Sequence, residues 1–343
     1  MKKTLCFFLL LISTQVQAEK IQIWHQMIYS YREVLAEAVK KYQEAHPDIQ
    51  IELVYKETEE LRSSFQAAAM GGSGPELVYG PSDQVGPFAT MKIIRPLNDI
   101  LTEDGFKSFD PLSLVHFNED LYMIGDVVGN HLSLIYNKAI IKVPPQNTDE
   151  LLQLAVKYTD SKKDQYGLAW HMFEPFFFVP WVSGFGESFI SSDGHPQMNT
   201  LALQKAFLFI KKIQSLGVTP VGCDYEIANA LFKEGKSAMI INGDWSWGDY
   251  LKAKIDFGIV PLPMVSDTGL WPAPLVGTKG YSINRNISDK KLILVKNLLR
   301  YLLSDEVQLL FTKSVSSMPS SLTARDTEFV KNNELLRDSA TVL

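Results

Sequence analysis

The stretch IQIWHQMIYSYREVLAEAVKKYQEAHPDIQIELVY, residues 21–55, changes its hydrophobic period twice. Its first residues predict a short strand, apolar residues then recur at helical spacing until Pro47, and residues 49–55 alternate as a second strand. The apolar residues that form these patterns are Ile21, Ile23, Trp24, Val34, Leu35, Ala38, Val39, Tyr42, Ile49, Ile51, Leu53 and Tyr55. This order of elements predicts a βαβ unit.

The same alternation continues towards residue 80. A second helix is predicted at 59–70, and a third strand follows at 76–79. The glycines of GGSGP, residues 71–75, come after this helix and are not followed by a Lys-Ser/Thr pair, so they indicate a helix end and turn instead of a phosphate loop. Strands that alternate with helices indicate an α/β fold with a parallel sheet covered by helices.

A second α/β unit follows a pause at GDVVGN, residues 125–130, which we predict to be the first crossing between two lobes. Strand and helix patterns restart at 132–136 and 149–158, and four prolines between 261 and 274 mark an extended return to the first lobe. The predicted division is 1–18 signal peptide, 19–125 first lobe, 126–270 second lobe, 271–315 return to the first lobe, and 316–343 a C-terminal segment packed on the second lobe.

The N-terminus has the pattern of a signal peptide. Two lysines precede an apolar run at 5–12 that is too short to span a bilayer, and small residues precede a cleavage site near Ala18. Cys6 lies inside the apolar run, where lipidation of a mature N-terminal cysteine is not expected. We therefore expect a soluble exported protein that begins near Glu19, in the periplasm.

Composition restricts the partners. The mature chain keeps only Cys223, which excludes an intramolecular disulfide and a metal site built on thiolates. The six histidines never fall at a ligand spacing such as HExxH, and the formal charge of −6 gives no support to nucleic acid or an anionic membrane as a partner. We predict a monomer with no metal and no cofactor.

Carboxylates are the strongest candidates for chemistry. Asp83, Glu174 and Asp244 lie in turns beside aromatic or turn-forming residues. Two of them could act as acid and nucleophile on a glycosidic bond, but the separation that decides this is not given by the sequence. The same groups can accept hydrogen bonds from sugar hydroxyls while aromatic rings cover the apolar faces of the sugar. A glycoside hydrolase and a sugar-binding protein without catalysis both remain open at this point.

The segment INGDWSWGDY, residues 241–250, places two tryptophans two positions apart in a turn-rich stretch after an apolar strand. Trp245 and Trp247 could serve the core, which is the common use of an indole. Asp244 is predicted to cap the helix that begins here, by accepting a hydrogen bond from a backbone N–H two or three residues on.

Several segments together resemble one family. LFKEGKSAMIINGDWSWGDY with FGIVPLP, LSLIYNK, KKYQEAHPDIQIEL, GSGPELVYG, EPFFFVPW and YLLSDEVQLLF are similar to the corresponding parts of bacterial maltose- and maltodextrin-binding proteins. These belong to extracellular solute-binding family 1, which serves ABC importers, and the segments occur in the family's order. The resemblance implies a type II periplasmic-binding fold of two α/β lobes. It also implies an oligosaccharide bound in the cleft between them and ABC permease subunits as partners.

The resemblance also implies roles for individual residues. Trp245 matches a tryptophan that stacks on a sugar ring, and Trp247 is expected to pack behind it. Asp83 matches an acidic residue that binds sugar hydroxyls from the first lobe, and Glu174 with Phe176 matches the Glu-Pro-aromatic site of the second. The complete predicted ligand-binding set is Trp24, His25, Asp83, Asn130, Glu174, Phe176, Asp244, Trp245, Trp271 and Tyr281.

The departures from the family leave the exact ligand open. Gly80 and Gln84 stand where the best-known maltose binder has an aromatic residue and an arginine, and Asn130 replaces a glutamate. Another sugar or a glycerol phosphodiester, which the start WHQM at 24–27 also fits, is the alternative to a maltodextrin. The chain ends at Leu343, before the further helical turns and cleft aromatic of the family, so we expect a shorter C-terminal segment.

Overall fold

The computed structural model describes residues 18–342, with side chains described as far as Asp338. The predicted signal peptide, residues 1–18, falls outside this part of the chain except for its last residue. The strands are β1 (Glu19–His25), β2 (Ile49–Tyr55), β3 (Leu77–Pro81), β4 (Ile94–Arg95), β5 (Leu114–Phe117), β6 (Asp120–Gly129), β7 (Leu132–Asn137), β8 (Tyr166–Trp170), β9 (Ser237–Gly243), β10 (Phe257–Val260) and β11 (Gly277–Asn284). The helices are α1 (Tyr29–Ala45), α2 (Thr58–Met70), α3 (Val85–Thr90), α4 (Glu103–Lys107), α5 (Thr148–Lys157), α6 (Pro175–Gly184), α7 (Leu201–Ser215), α8 (Tyr225–Lys233), α9 (Trp247–Lys252), α10 (Asp289–Leu302), α11 (Asp305–Val315), α12 (Leu322–Arg325), α13 (Glu328–Asn332) and α14 (Glu334–Val342). Single 3-10 turns occur at Ser82–Gln84, Pro111–Ser113, Ser161–Lys163 and Asp244–Ser246.

The first sheet contains the predicted βαβαβ unit. Its strands follow the order β2-β1-β3-β11-β6-β5, with β4 also paired to β11. β1 is parallel to both β2 and β3, as the alternation of strands and helices predicts. β11, which comes from the far end of the chain, is antiparallel to β3 and β6. We call this sheet and the helices packed on it the first lobe.

The second sheet has the order β10-β7-β9-β8. β8 and β9 are parallel, whereas β7 is antiparallel to β9 and to β10. Every residue of β9 is buried, which explains the continuous apolar run that precedes the tryptophan pair. This sheet, with α5 to α9 packed around it, is the second lobe. Two separate α/β lobes confirm the predicted fold class.

Local sequence signals explain where α2 begins and ends. The Glu57 side chain accepts hydrogen bonds from the N–H groups of Glu59 and Glu60, which satisfies two donors that the helix leaves free. Gly71 follows the last helical residue, and Gly72 has φ of +78°, a conformation that glycine adopts at little cost. The prediction of a helix end at GGSGP is confirmed.

The first crossing lies later than predicted. β6 belongs to the first sheet through Gly129, and β7 in the second sheet begins at Leu132. The predicted boundary between Gly125 and Asp126 therefore falls inside β6, and the chain crosses at residues 130–131. The GDVV part of the motif is half of a strand because it pairs with β11, a partner that is distant in sequence.

Two further crossings complete the chain. The second lies between β10 and β11, in the proline-rich return. After α11 the chain runs along the first lobe, where Pro319 bridges to Val127 and Arg325 forms an ion pair with Asp110 at 2.6 Å. The residues that follow reach the second-lobe core, where Val330 and Leu336 are buried. The start of the predicted 316–343 segment therefore packs on the first lobe, and only its end packs on the second lobe as predicted.

No helix within residues 18–342 has both the length and the hydrophobicity that a membrane crossing requires.

Candidate functional site

A cavity lies where the two lobes meet, at the ends of strands from both sheets. The first lobe contributes Gln26, Tyr31, Tyr79 and Lys279 to its wall, and the second lobe contributes Asp244 and Trp245. Asn130, at the first crossing, also lines it. Ligands of open α/β sheets bind outside strand ends, so this position is the expected one for a binding site.

Trp245 is held by residues of its own lobe. Its indole lies against Gly243, where a Cβ would be 2.0 Å from the Cζ3 atom of the ring, so any side chain at 243 would displace the indole. The Phe176 ring centroid is 5.9 Å from that of Trp245, and the indole Nε1 donates to the Tyr225 hydroxyl at 3.1 Å. Trp247, by contrast, is fully buried in the second-lobe core. The indole of Trp245 therefore has a fixed orientation beside the cavity.

Asp244 does not cap the helix that follows it, contrary to the prediction. The turn that begins at this residue has no side-chain cap, and Asp244 Oδ2 instead accepts the backbone N–H of Asn130 at 3.0 Å. Burial raises the pKa of the Asp244 carboxyl, and His131 and Lys279 act in the opposite direction. Gly129 has φ of +131°, and a Cβ there would lie 2.3 Å from Asp244 Oδ2. Asp244 thus ties the second lobe to the first crossing.

Glu174 and Phe176 lie at the start of α6. The Glu174 carboxylate accepts the N–H of Phe176 at 3.4 Å, and Pro175 occupies the first helical position, where a missing N–H costs nothing. This cap directs Phe176 towards Trp245. The predicted second-lobe residues Glu174, Phe176, Asp244 and Trp245 are therefore close to one another or adjacent in sequence.

Asp83 lies on the first lobe, in the turn that follows β3. Its carboxylate is exposed and pairs with Arg62 of α2 at 2.8 Å. The neighbouring Gln84 is buried, and its amide covers Gly80 so closely that a Cβ at 80 would be 2.5 Å from Gln84 Nε2. The two departures from the family pattern thus fit each other, because the Gln84 side chain occupies the space that a side chain at position 80 would need.

Seven of the ten predicted ligand-binding residues do not line this cavity, and Asp83, Glu174 and Phe176, described above, are three of them. His25 is buried, and burial beside Arg32 lowers its pKa to about 4. Trp24 packs inside the first lobe, and Lys56 Nζ lies 5.0 Å from its ring. Tyr281 is fully buried behind Tyr79, with their ring centroids 4.8 Å apart, and Trp271 is 51% exposed on the return segment. Their part in binding stays a prediction.

The sequence reasoning missed Tyr79 and Lys279, which line the cavity, and Asp126, which lies behind Tyr79. The Tyr79 hydroxyl donates to Asp126 Oδ1 at 3.0 Å, and Lys279 is next to this pair on the neighbouring strand. Burial raises the pKa of Asp126 to about 7 and lowers the pKa of Lys279 to about 8. A lysine inside the otherwise uncharged strand GTKGYSIN was the available signal, because a charge that is partly removed from water needs a specific reason.

Asp126 gives a pH-dependent prediction. Its pKa is raised above the ordinary 3.8, so the folded protein holds this proton more tightly than the unfolded chain does. The contribution of Asp126 to stability therefore falls as pH rises from about 4 to about 7. We expect Asp126→Asn to gain stability relative to the parent protein over this range, as measured by urea unfolding at several pH values. A difference between the two proteins that does not change with pH would contradict this.

Fold and site together define a two-lobe solute-binding protein. The chain belongs to the family described as bacterial extracellular solute-binding protein, which matches residues 37–338. Within the described residues no group of three or more histidine, cysteine or carboxylate side chains is arranged to hold a metal ion.

Solved structures and curated relatives agree with this family. The chain is 56% identical to the maltose/maltodextrin-binding domain MalE from Bdellovibrio bacteriovorus bound to maltotriose, with a TM-score of 0.92 over 94% of this chain and 87% of that one. The Thermus thermophilus maltotriose-binding protein bound with maltotriose is 26% identical, with a TM-score of 0.85 over 94% and 86% of the two chains. The maltotriose-binding protein of Pyrococcus abyssi is 28% identical over 76% of this chain, and the match spans 57% of that relative's length.

Proposed function

We propose that this protein is a periplasmic binding protein that captures an oligosaccharide, of the maltose and maltodextrin class, and delivers it to the permease subunits of an ABC transporter. The observation that supports this most is the fixed indole of Trp245 at the interlobe cavity, with Phe176 and the carboxylates of Asp244 and Glu174 close by. Stacking of an indole on a sugar face and hydrogen bonds from sugar hydroxyls to carboxylates suit this arrangement. The maltotriose named for the 56% identical structure supports the same ligand class.

Closure of the lobes is the proposed signal to the transporter. Because Asp83 belongs to the first lobe and Trp245 to the second, each lobe alone offers part of the contacts. A sugar that contacts both lobes binds the closed arrangement better than the open one and shifts the equilibrium by that difference in affinity. The closed protein is then the form that the permease subunits recognise.

Binding without cleavage is part of the proposal. Each candidate carboxylate already has a structural partner: Asp83 pairs with Arg62, Glu174 caps α6, and Asp244 accepts the Asn130 N–H. These contacts position the groups to accept hydrogen bonds.

Residues 1–18 are proposed to direct export and to be removed near Ala18.

The ligand class is tested by thermal unfolding in the presence of sugars. Maltotriose at 100 times its dissociation constant is expected to stabilise the fold by about 2.7 kcal/mol, because it binds the folded state alone. Lactose and sn-glycerol 3-phosphate serve as comparison ligands in the same assay. Stabilisation by either of these without any by maltodextrins would overturn the maltodextrin assignment. Continued conversion of maltotetraose to shorter sugars would overturn binding without cleavage.

A further inference from the structure

Lys279 crosses the cleft and lies on the indole of Trp245. It projects from β11 of the first lobe, and its Nζ atom is 4.6 Å from the Trp245 ring centroid. A cation at this distance from a ring centroid is attracted by the negative face of the ring. This contact therefore joins the two lobes at the residue to which we assign sugar stacking.

Residues of both lobes surround the indole of Trp245. Gly243 packs against the ring so closely that a Cβ there would be 2.0 to 2.3 Å from three of its carbon atoms. Phe176 and Phe177 also approach the ring, with interplanar angles of 54° and 87°. Lys279 lies over the ring from the first lobe. A sugar ring stacked on Trp245 and the Lys279 ammonium over Trp245 exclude each other.

We propose that Lys279 is an internal competitor for the sugar-stacking face of Trp245, displaced when the oligosaccharide binds, so that it sets the affinity of the site. The inference rests on the proposed function and names a residue that controls how tightly the ligand is held. In a fraction of the molecules Lys279 covers this face of Trp245. The apparent affinity for the sugar is therefore lower than the affinity of molecules in which the face is uncovered.

The displaced ammonium has other partners nearby. The charges of Asp244 and Asp126 both favour the protonated amine, which opposes the effect of burial on its pKa. The other titratable groups that face these two carboxylates come from the first crossing, α1, β3 and β11, and they are His131, Tyr31, Tyr79 and Tyr281. If Lys279 moves towards the carboxylates, its positive charge stays compensated. The displacement then costs less free energy than leaving the ammonium without a partner inside the protein.

The affinity test compares two lysine variants by calorimetric titration with maltotriose. Lys279→Met removes the ammonium and keeps a flexible apolar chain, and we expect it to bind maltotriose about three- to tenfold more tightly than the parent protein. Lys252→Met is the matched control. Lys252 also joins the lobes, through Glu33 at the rim, but does not touch Trp245. The control is expected to bind equally or more weakly. Unchanged or weaker binding by Lys279→Met would overturn the proposal.

The charge of the competitor can be tested separately. The ammonium loses its proton as pH rises above about 8, and the neutral amine is no longer attracted to the ring as a cation. Affinity of the parent protein for maltotriose is therefore expected to increase between about pH 7 and pH 9 relative to Lys279→Met. The Lys279 charge also lowers the pKa of the Asp126 and Asp244 carboxyls, so these two groups titrate differently in the two proteins. The change between about pH 8 and pH 9 is therefore the diagnostic part of the comparison, because the Asp126 pKa of about 7 lies below this range. Parallel pH profiles would overturn the proposal.

A spectroscopic measurement separates this inference from the proposed function. Protons on Lys279 Cε are expected to be shifted upfield by the indole ring current in the ligand-free protein, and Trp245→Ala should abolish the shift. Saturation with maltotriose should also abolish it. An upfield shift that persists in the saturated protein would overturn the inference about Lys279. Absence of any maltotriose binding, with the upfield shift present, would overturn the proposed function alone.

Discussion

Trp245→Ala is expected to weaken maltotriose binding at least tenfold. The substitution removes the ring surface on which a sugar would stack, and a lost aromatic contact of this kind costs about 1 kcal/mol or more together with the lost burial. Lys279 loses its cation–π partner in the same variant, which compensates for part of the effect. Calorimetric titration of both proteins measures the change. Unchanged affinity would remove Trp245 from the site.

The ligand-free stability of Trp245→Ala is the internal control. The indole is partly buried against Phe176 and bonds to the Tyr225 hydroxyl, so some loss of stability is expected. This loss should be smaller than that of a fully buried tryptophan. Thermal melting without ligand therefore distinguishes a weakened site from a weakened fold.

Trp247→Ala is expected to lower the free energy of unfolding by about 3–5 kcal/mol, as large-to-small changes of buried aromatic residues do. Trp247 is fully buried at the start of α9, in a cluster that includes Phe232, Tyr250 and Phe257. Removal of the indole leaves a cavity among these rings that they cannot fill completely. Urea unfolding of the ligand-free protein gives the magnitude.

The two tryptophan variants serve as controls for each other. Trp247→Ala should change the stability of the ligand-free protein more than it changes affinity for maltotriose, and Trp245→Ala should do the reverse. If the stability loss follows Trp245 and the affinity loss follows Trp247, the assigned roles are exchanged. Both proteins need to be compared below the melting temperature of the less stable one, so that affinity is measured on folded protein.

The sequence determined the fold class because hydrophobic period is a local property. Residues 21–55 show strand, helix and strand periods, and these elements occur in β1, α1 and β2 with the apolar residues of α1 buried as expected. A similar local signal placed the end of α2 at Gly71. Each of these depends on residues a few positions apart, whose relation the chain itself fixes.

Tertiary structure decided what depends on residues far apart in sequence. Asp244 accepts the N–H of Asn130, 114 positions away, in place of a helix cap within its own turn. The first crossing lies at residues 130–131, later than the sequence predicted, because β6 pairs with β11 as far as Gly129. Local patterns show which face of an element is apolar, but not which other element will meet it.

Lys279 is the clearest case of this limit. In the sequence it is one lysine within a strand, and nothing near it in the chain indicates a tryptophan as its neighbour. Its position over Trp245 depends on two sheets. β11 returns to the middle of the first sheet, and Trp245 follows the end of β9 in the second sheet. The amino-acid sequence by itself determined two α/β lobes, and its resemblance to the family predicted Trp245 as an aromatic residue for a sugar. Which charged group lies on that aromatic ring was decided only by the packing of the lobes, because a contact between lobes requires both sheets to be formed and placed.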